Sequence, residues 1–182
     1  MPEDRVALAA RTLAVDVGLV PVGPAAGAAL RLLAAAGRAR SVVEIGTGTG
    51  VSGLWLLAGM RPDGVLTTID IEGEHQRVAR RLFAEAGYLP GRTRVINGRA
   101  LDVLPRLADG AYDLVFMDAE PTEYPGAVTE ALRLLRPGGV LAVNDVLAEG
   151  RIETVRMVVD AEEWLPALLP SSAGLLCAVK RG

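Results

Sequence analysis

Oxygen-bearing side chains stand at the ends of four apolar runs in this chain. Glu44 lies near the end of "SVVEI", Asp70 ends "GVLTTID", Asp118 ends "YDLVFMD", and Asn144 and Asp145 end "GVLAVND". Carboxylates and amides just beyond buried strands can accept hydroxyl hydrogens, balance a cationic ligand or bind a hard metal ion. Gly46, Gly48 and Gly50 directly follow the first run. Alternate glycines let a backbone turn sharply and come close to a ligand. A dinucleotide loop would read G-x-G-x-x-G, but its third glycine would fall at Val51. Glu44 would also repel a pyrophosphate, which weighs against an NAD(P)-dependent oxidoreductase. A cation suits that acid better. S-Adenosylmethionine carries an ammonium and a sulfonium, and its ribose offers two hydroxyls to Asp70, twenty residues beyond Gly50.

These residues need a frame that brings strand ends together. From residue 41 onward, predicted strands (41–45, 64–70, 93–97, 112–118 and 139–145) alternate with helices. The helix at 73–87 carries Val78, Leu82 and Phe83 on one face and arginines on the other. "RPGG", after Leu135, reads as the stop of a helix that begins near Tyr124. The pattern predicts an α/β fold, a mostly parallel sheet with helices on both faces and right-handed crossovers. Ligands in such sheets bind beyond the carboxyl ends of the strands, where strand order reverses. After a helix at about 151–163, "WLPALLP" and "GLLCAVK" read as a C-terminal antiparallel hairpin that completes seven strands. Pro166 places the first of these two at a sheet edge. Residues 1–40 are predicted to be mostly helical with a break near Pro21–Pro24, preceding a core at 41–182. Residues 1–182 together read as one domain.

The totals narrow the function. The chain has 182 residues, of which 51% are hydrophobic, enough for a sizeable core. Net charge is −3 and the pI is about 5.3, which argues against nucleic-acid binding. Arg77, Arg80 and Arg81 read as a solvated helix face. No stretch approaches the ~20 apolar residues that cross a bilayer, and the acidic Glu3 and Asp4 are unlike a secretory signal. The expectation is a soluble cytoplasmic protein without a membrane partner. Cys177 is the only cysteine, so no internal disulfide or cysteine-rich zinc site is expected. Lys180 is the only lysine.

The ordered segments "EIGTGTGVSGLWLL", "GVLTTIDIE", "YDLVFMDAE" and "LRLLRPGGVL" resemble the class I S-adenosylmethionine-dependent O-methyltransferases. The likeness is to the cation-dependent branch with catechol and caffeoyl-CoA O-methyltransferases and small actinobacterial relatives, over about residues 18–147. It implies a Rossmann-like methyltransferase fold. It also implies an enzyme that moves a methyl group to a hydroxyl of a small, aromatic, catechol-like acceptor. Val22, Glu44, Gly46, Thr47, Gly48 and Ser52 would line the cofactor site, with Glu44, Gly46 and Thr47 around the methionine portion. Asp70 would hold the ribose, Ile71 would pack beside the adenosine, and Asp118 would lie between cofactor and acceptor as the catalytic residue. Asp118, Asn144 and Asp145 would hold a Mg²⁺-type divalent cation. The resemblance also implies a homodimer paired through N-terminal helices and sheet-edge elements.

The sequence departs from that pattern in three places. The family usually reads Asp-Ala-Asp-Lys after the fourth strand, and the lysine is the general base; this chain has Asp118-Ala119-Glu120-Pro121. The family's Asp-Asn pair is reversed as Asn144-Asp145, and its insertion after the fifth strand is short here. Glu120, Glu123, Tyr124 and Asp145 are the substitute bases. These departures leave a second reading, a cofactor-binding homologue with lost or metal-independent catalysis. Four other residues take structural readings: His75 at the surface or cap of its helix, Trp55 in the core, Trp164 over the hairpin and Cys177 buried.

Overall fold

The computed structural model describes residues 3–171 and 173–182. Two helices come first, α1 (Arg5–Asp16) and α2 (Pro24–Ala36), separated at the predicted break. Five strands alternate with helices after them: β1 (Ser41–Ile45), β2 (Val65–Asp70), β3 (Thr93–Asn97), β4 (Tyr112–Met117) and β5 (Leu135–Asn144). The intervening helices are α3 (Val51–Gly59), α4 (Gly73–Glu85), the short α5 (Ala100–Val103) and α6 (Tyr124–Leu134). Helix α7 (Ile152–Val159) leads to β6 (Trp164–Leu169) and β7 (Leu175–Lys180). Among the described residues no helix is long and apolar enough to cross a membrane.

The seven strands form one sheet in the order β3-β2-β1-β4-β5-β7-β6. β1 to β5 run parallel, while β7 is antiparallel to both β5 and β6. Pro166 lies in β6, the edge strand, where a residue without an N–H is tolerated best. The chain steps outward from β1 to β3 and then returns to place β4 on the other side of β1. That reversal opens a crevice at the carboxyl ends of β1 and β4.

Side-chain alternation sorts the core into two layers. Val42, Leu66, Leu114 and Phe116 face a cluster with Leu30, Leu56 and Phe83, which belong to α2, α3 and α4. Val43, Ile45, Val115 and Met117 face the opposite cluster with Ala127, Leu134, Val158 and Trp164. Asp113 fastens the far end of the sheet. Its Oδ2 accepts from the backbone N–H groups of Arg40 and Ser41 at 2.7 and 2.9 Å, and its Oδ1 accepts from Arg136 Nε at 2.7 Å.

Strand β5 starts earlier than the sequence suggests. Leu135 already pairs with Tyr112, and the register then shifts so that Val140 pairs with Leu114. The helix stop at Arg136-Pro137-Gly138-Gly139 is therefore absorbed as a bulge inside the strand. Lys180 donates to the carbonyls of Leu132 and Leu135, each at 2.8 Å, and so satisfies the end of α6.

Candidate functional site

A cavity of about 500 Å³ fills the crevice beyond β1, β2 and β4. Its floor is the glycine loop. Gly46 adopts φ +96°, and a Cβ there would collide with the carbonyl oxygen of Asp118. The loop after β1 and the loop after β4 can touch only because position 46 lacks a side chain. The Asp118 N–H donates to the Ile45 carbonyl at 2.9 Å, and the Gly46 N–H donates to that of Ile69 at 2.8 Å. Three strand ends are locked together in this way.

Asp70 closes one end. Its Oδ2 accepts from the Gly48 N–H at 2.8 Å and its Oδ1 from the Glu72 N–H at 2.9 Å. Each oxygen keeps a lone pair for a ligand hydroxyl. Ile71 stands beside it on the cavity wall and is 58% exposed, a large apolar surface without cover. Val22, Thr47, Gly48 and Ser52 also line the cavity, and the Thr47 and Thr68 hydroxyls bond at 2.7 Å.

Glu44, expected on this wall, lies behind it and is fully buried. Ile45 faces the cavity, so alternation turns Glu44 to the other side of β1, against α3. Its Oε1 accepts from Ser52 Oγ at 2.6 Å, while Oε2 has no partner. Burial pushes its carboxyl up to about 7, against the hydrogen bond from Ser52.

The other end lies past β4 and β5. Asp118 lines the cavity, and its Oδ1 accepts from Asn144 Nδ2 at 3.2 Å. Burial raises its carboxyl to about 6; the Asn144 bond and the Arg151 guanidinium pull it down, and Asp145 pushes it up. Asp145 turns the chain after β5 at φ +56°. The buried Tyr124 accepts the Ala119 N–H at 3.1 Å, and burial and Asp118 push its phenol up to about 12. That makes it a poor base near neutrality. Glu123 pairs with Arg99 at 3.0 Å at the rim.

Asp118, Asn144 and Asp145 gather at the neighbouring ends of β4 and β5: Asn144 bonds Asp118, and Asp145 is close enough to raise its carboxyl. Two carboxylates and an amide oxygen are hard donors of the kind a Mg²⁺-type ion takes together with waters. In this arrangement Asn144 turns its NH₂ toward Asp118, so its amide would rotate to offer the oxygen to an ion. Among the described residues no three His, Cys, Asp or Glu side chains gather where they could hold a metal.

Several lining residues went unread in the sequence. Leu19, Val20 and Pro21, in the α1–α2 linker, form a wall with Val22. His75, read as a surface or cap residue, stands at the cavity wall. Gly98, Arg99 and Ala100 line it after β3. Thr49 Oγ1 donates to the Ala10 carbonyl at 2.8 Å and ties the glycine loop to α1. Trp55 Nε1 donates to Glu3 at 3.1 Å, and Arg11 bonds the same carboxylate. Trp55, Trp164 and Cys177 are buried, as read, and Arg77 is exposed and paired with Glu74.

Comparison with known proteins agrees with this geometry. Residues 6–163 match the profile of the O-methyltransferase family. A protein of Mycolicibacterium vanbaalenii, whose name assigns it to the O-methyltransferases, is 52% identical over 98% of this chain and 85% of its own length. The O-methyltransferase TomG of Streptomyces achromogenes, solved with S-adenosylmethionine, is 31% identical. It superposes with a TM-score of 0.89 over 100% of this chain and 92% of its own. An O-methyltransferase of Bacillus cereus, solved with S-adenosylhomocysteine, is 27% identical with a TM-score of 0.89, over 100% and 93% of the two chains.

Proposed function

This chain belongs to the O-methyltransferase family, and we propose that its cavity binds S-adenosylmethionine and delivers the methyl group to a hydroxyl of a small aromatic acceptor. One observation carries the reading. A single cavity joins Asp70 and Ile71, suited to a ribose and an adenine, through the glycine loop to Asp118 at the open end. Glu44 acts from behind the loop, through its bond to Ser52, which lines the cavity. Methyl transfer from a sulfonium is an in-line displacement, so the protein mainly has to align the two reactants. The catechol-like character of the acceptor follows from the resemblance alone. The exposed Leu8, Val15 and Leu32 of the N-terminal helices support a homodimer paired through them, which ultracentrifugation tests.

Calorimetric titration with S-adenosylmethionine and S-adenosylhomocysteine tests the cofactor reading, and transfer of a labelled methyl group to a panel of phenols tests the acceptor. Binding of both and labelling of at least one phenol are expected. Absence of binding by either nucleoside would overturn the proposal.

A further inference from the structure

Helix α1 and the linker after it, residues 17–23, lie over the glycine loop but are fastened to it lightly. Ala14 and residues 19–22 line the cavity. Leu19 sits over Gly48, where an added Cβ would stand 3.5 Å from its Cδ1. The buried residues of α1 are Ala7, Ala10 and Ala14, which bring only methyl groups to the contact. Val6 and Leu13 add partly buried surface, while Leu8 and Val15 are exposed. Helix α2 buries the larger Leu30 as well as its alanines. Apolar stabilisation scales with the area buried, and weakly held elements open locally before the fold as a whole does. Once detached, a helix of 12 residues is marginal in water and unwinds.

Two polar latches add to that thin apolar contact. Thr49, in the glycine loop, is 2% exposed, and its Oγ1 donates to the Ala10 carbonyl at 2.8 Å. Trp55 of α3 lies against Gly27 of α2, where a Cβ would collide with the indole. Its Nε1 donates to Glu3, just before α1, and Arg11 holds the same carboxylate. One indole therefore fixes the helices on both sides of the linker. Both latches spring from residues 49–55, and Thr49, Val51 and Ser52 of that stretch line the cavity themselves.

We propose that α1 and residues 17–23 form a strap that detaches as a unit to let the cofactor enter and leave, with Thr49 and Trp55 as the positioning residues that latch it. This rests on the methyltransferase reading of the cavity. A cofactor there touches strap and loop together, so it holds the strap closed, and by linkage the closed strap holds the cofactor. The latches join protein groups only. Weakening one raises the open fraction in free and liganded protein alike, so entry and exit quicken together.

Hydrogen exchange of the full chain, with and without S-adenosylhomocysteine, reads the strap directly. Protein concentration is held constant, because pairing through the outer face of α1 would also slow exchange. Amides of α1 are expected to exchange as a group, faster than those of α3, and to slow at least ~10-fold with ligand at about 100 times its Kd. Thr49→Val keeps the side chain's shape and loses the donor; Thr49→Ser keeps the donor. Stopped-flow binding of S-adenosylhomocysteine should show kon and koff both rising about fivefold in Thr49→Val, with Kd within about twofold of wild type. Thr49→Ser should restore both rates, and Trp55→Phe should raise both. Exchange of α1 unchanged by S-adenosylhomocysteine would overturn the proposal. So would a rise in koff with kon unchanged, the mark of a lost ligand contact rather than a loosened strap. Failure of S-adenosylhomocysteine to bind wild type in calorimetry would instead overturn the reading of the cavity, and this inference with it.

Discussion

At the ends of β1 and β2, polar groups hold one another; at the ends of β4 and β5, several are left waiting. Asp70 engages two backbone amides, the Thr47 and Thr68 hydroxyls bond each other, and Ser52 bonds Glu44. Across the cavity, Arg151 has two unpartnered nitrogens, Asp145 sits at φ +56°, and Asp118 has one amide bond from Asn144. The first region is a preformed binding surface, and pre-organisation of this kind lowers the ordering cost of a ligand. The second holds its polar groups with fewer partners inside the protein. The exception on the tidy side is Glu44 Oε2, which has no hydrogen-bond partner behind the loop.

Three substitutions probe that contrast. Gly46→Ala should have the largest effect, because it adds a methyl group at φ +96° against the Asp118 carbonyl. We expect a stability loss of about 3 kcal/mol and an S-adenosylhomocysteine affinity at least ~100-fold lower. Thermal melting and calorimetry measure both. Native-like affinity would show that the contact between the two loops is dispensable.

Glu44→Gln comes next, and its effect depends on pH. The folded state keeps a proton on Glu44 up to about pH 7, whereas the unfolded chain releases it near its ordinary value of 4.5. Stability therefore falls as pH rises from about 4.5 to 7 and levels off above that. Glu44→Gln keeps an acceptor for Ser52 and removes this fall. Urea unfolding should show the variant gaining up to about 3 kcal/mol on wild type at pH 8 and less than ~1 kcal/mol at pH 5. Cofactor affinity should fall, most clearly above pH 7 where the carboxylate is charged. A constant difference across pH would mean that Glu44 does not titrate in this window.

Asn144→Ala should matter least. It removes the one amide bond to Asp118, worth about 1 kcal/mol. Melting temperature should drop slightly, and S-adenosylhomocysteine affinity should stay within about twofold of wild type. A loss as large as that of Gly46→Ala would erase the distinction between the two regions.

Much of the first region could be read from the sequence, because it is built from residues close together in the chain. The run 41–45, its three glycines and Asp70 after the next strand specify the loop, the turn and the carboxylate almost locally. Side-chain direction was harder: Glu44 is a single strand residue from the wall, and only the paired sheet shows which way it faces. The second region assembles from distant segments. Arg151 carries no local signal; its position next to Tyr124 depends on the return of the chain after β5. Likewise, "RPGG" is a sound stop for α6, but nothing nearby announces that Leu135 already pairs with Tyr112.

The wall formed by Ala14 and residues 19–22 comes from a stretch that contributes no strand to the sheet. Thr49, Trp55 and their partners Ala10 and Glu3 hold that stretch in place at two points. Substitutions at positions 19–21 can therefore reshape what the cavity admits without disturbing strand register. One wall of the cavity is therefore free to vary while the strand ends that form the rest stay fixed by the sheet.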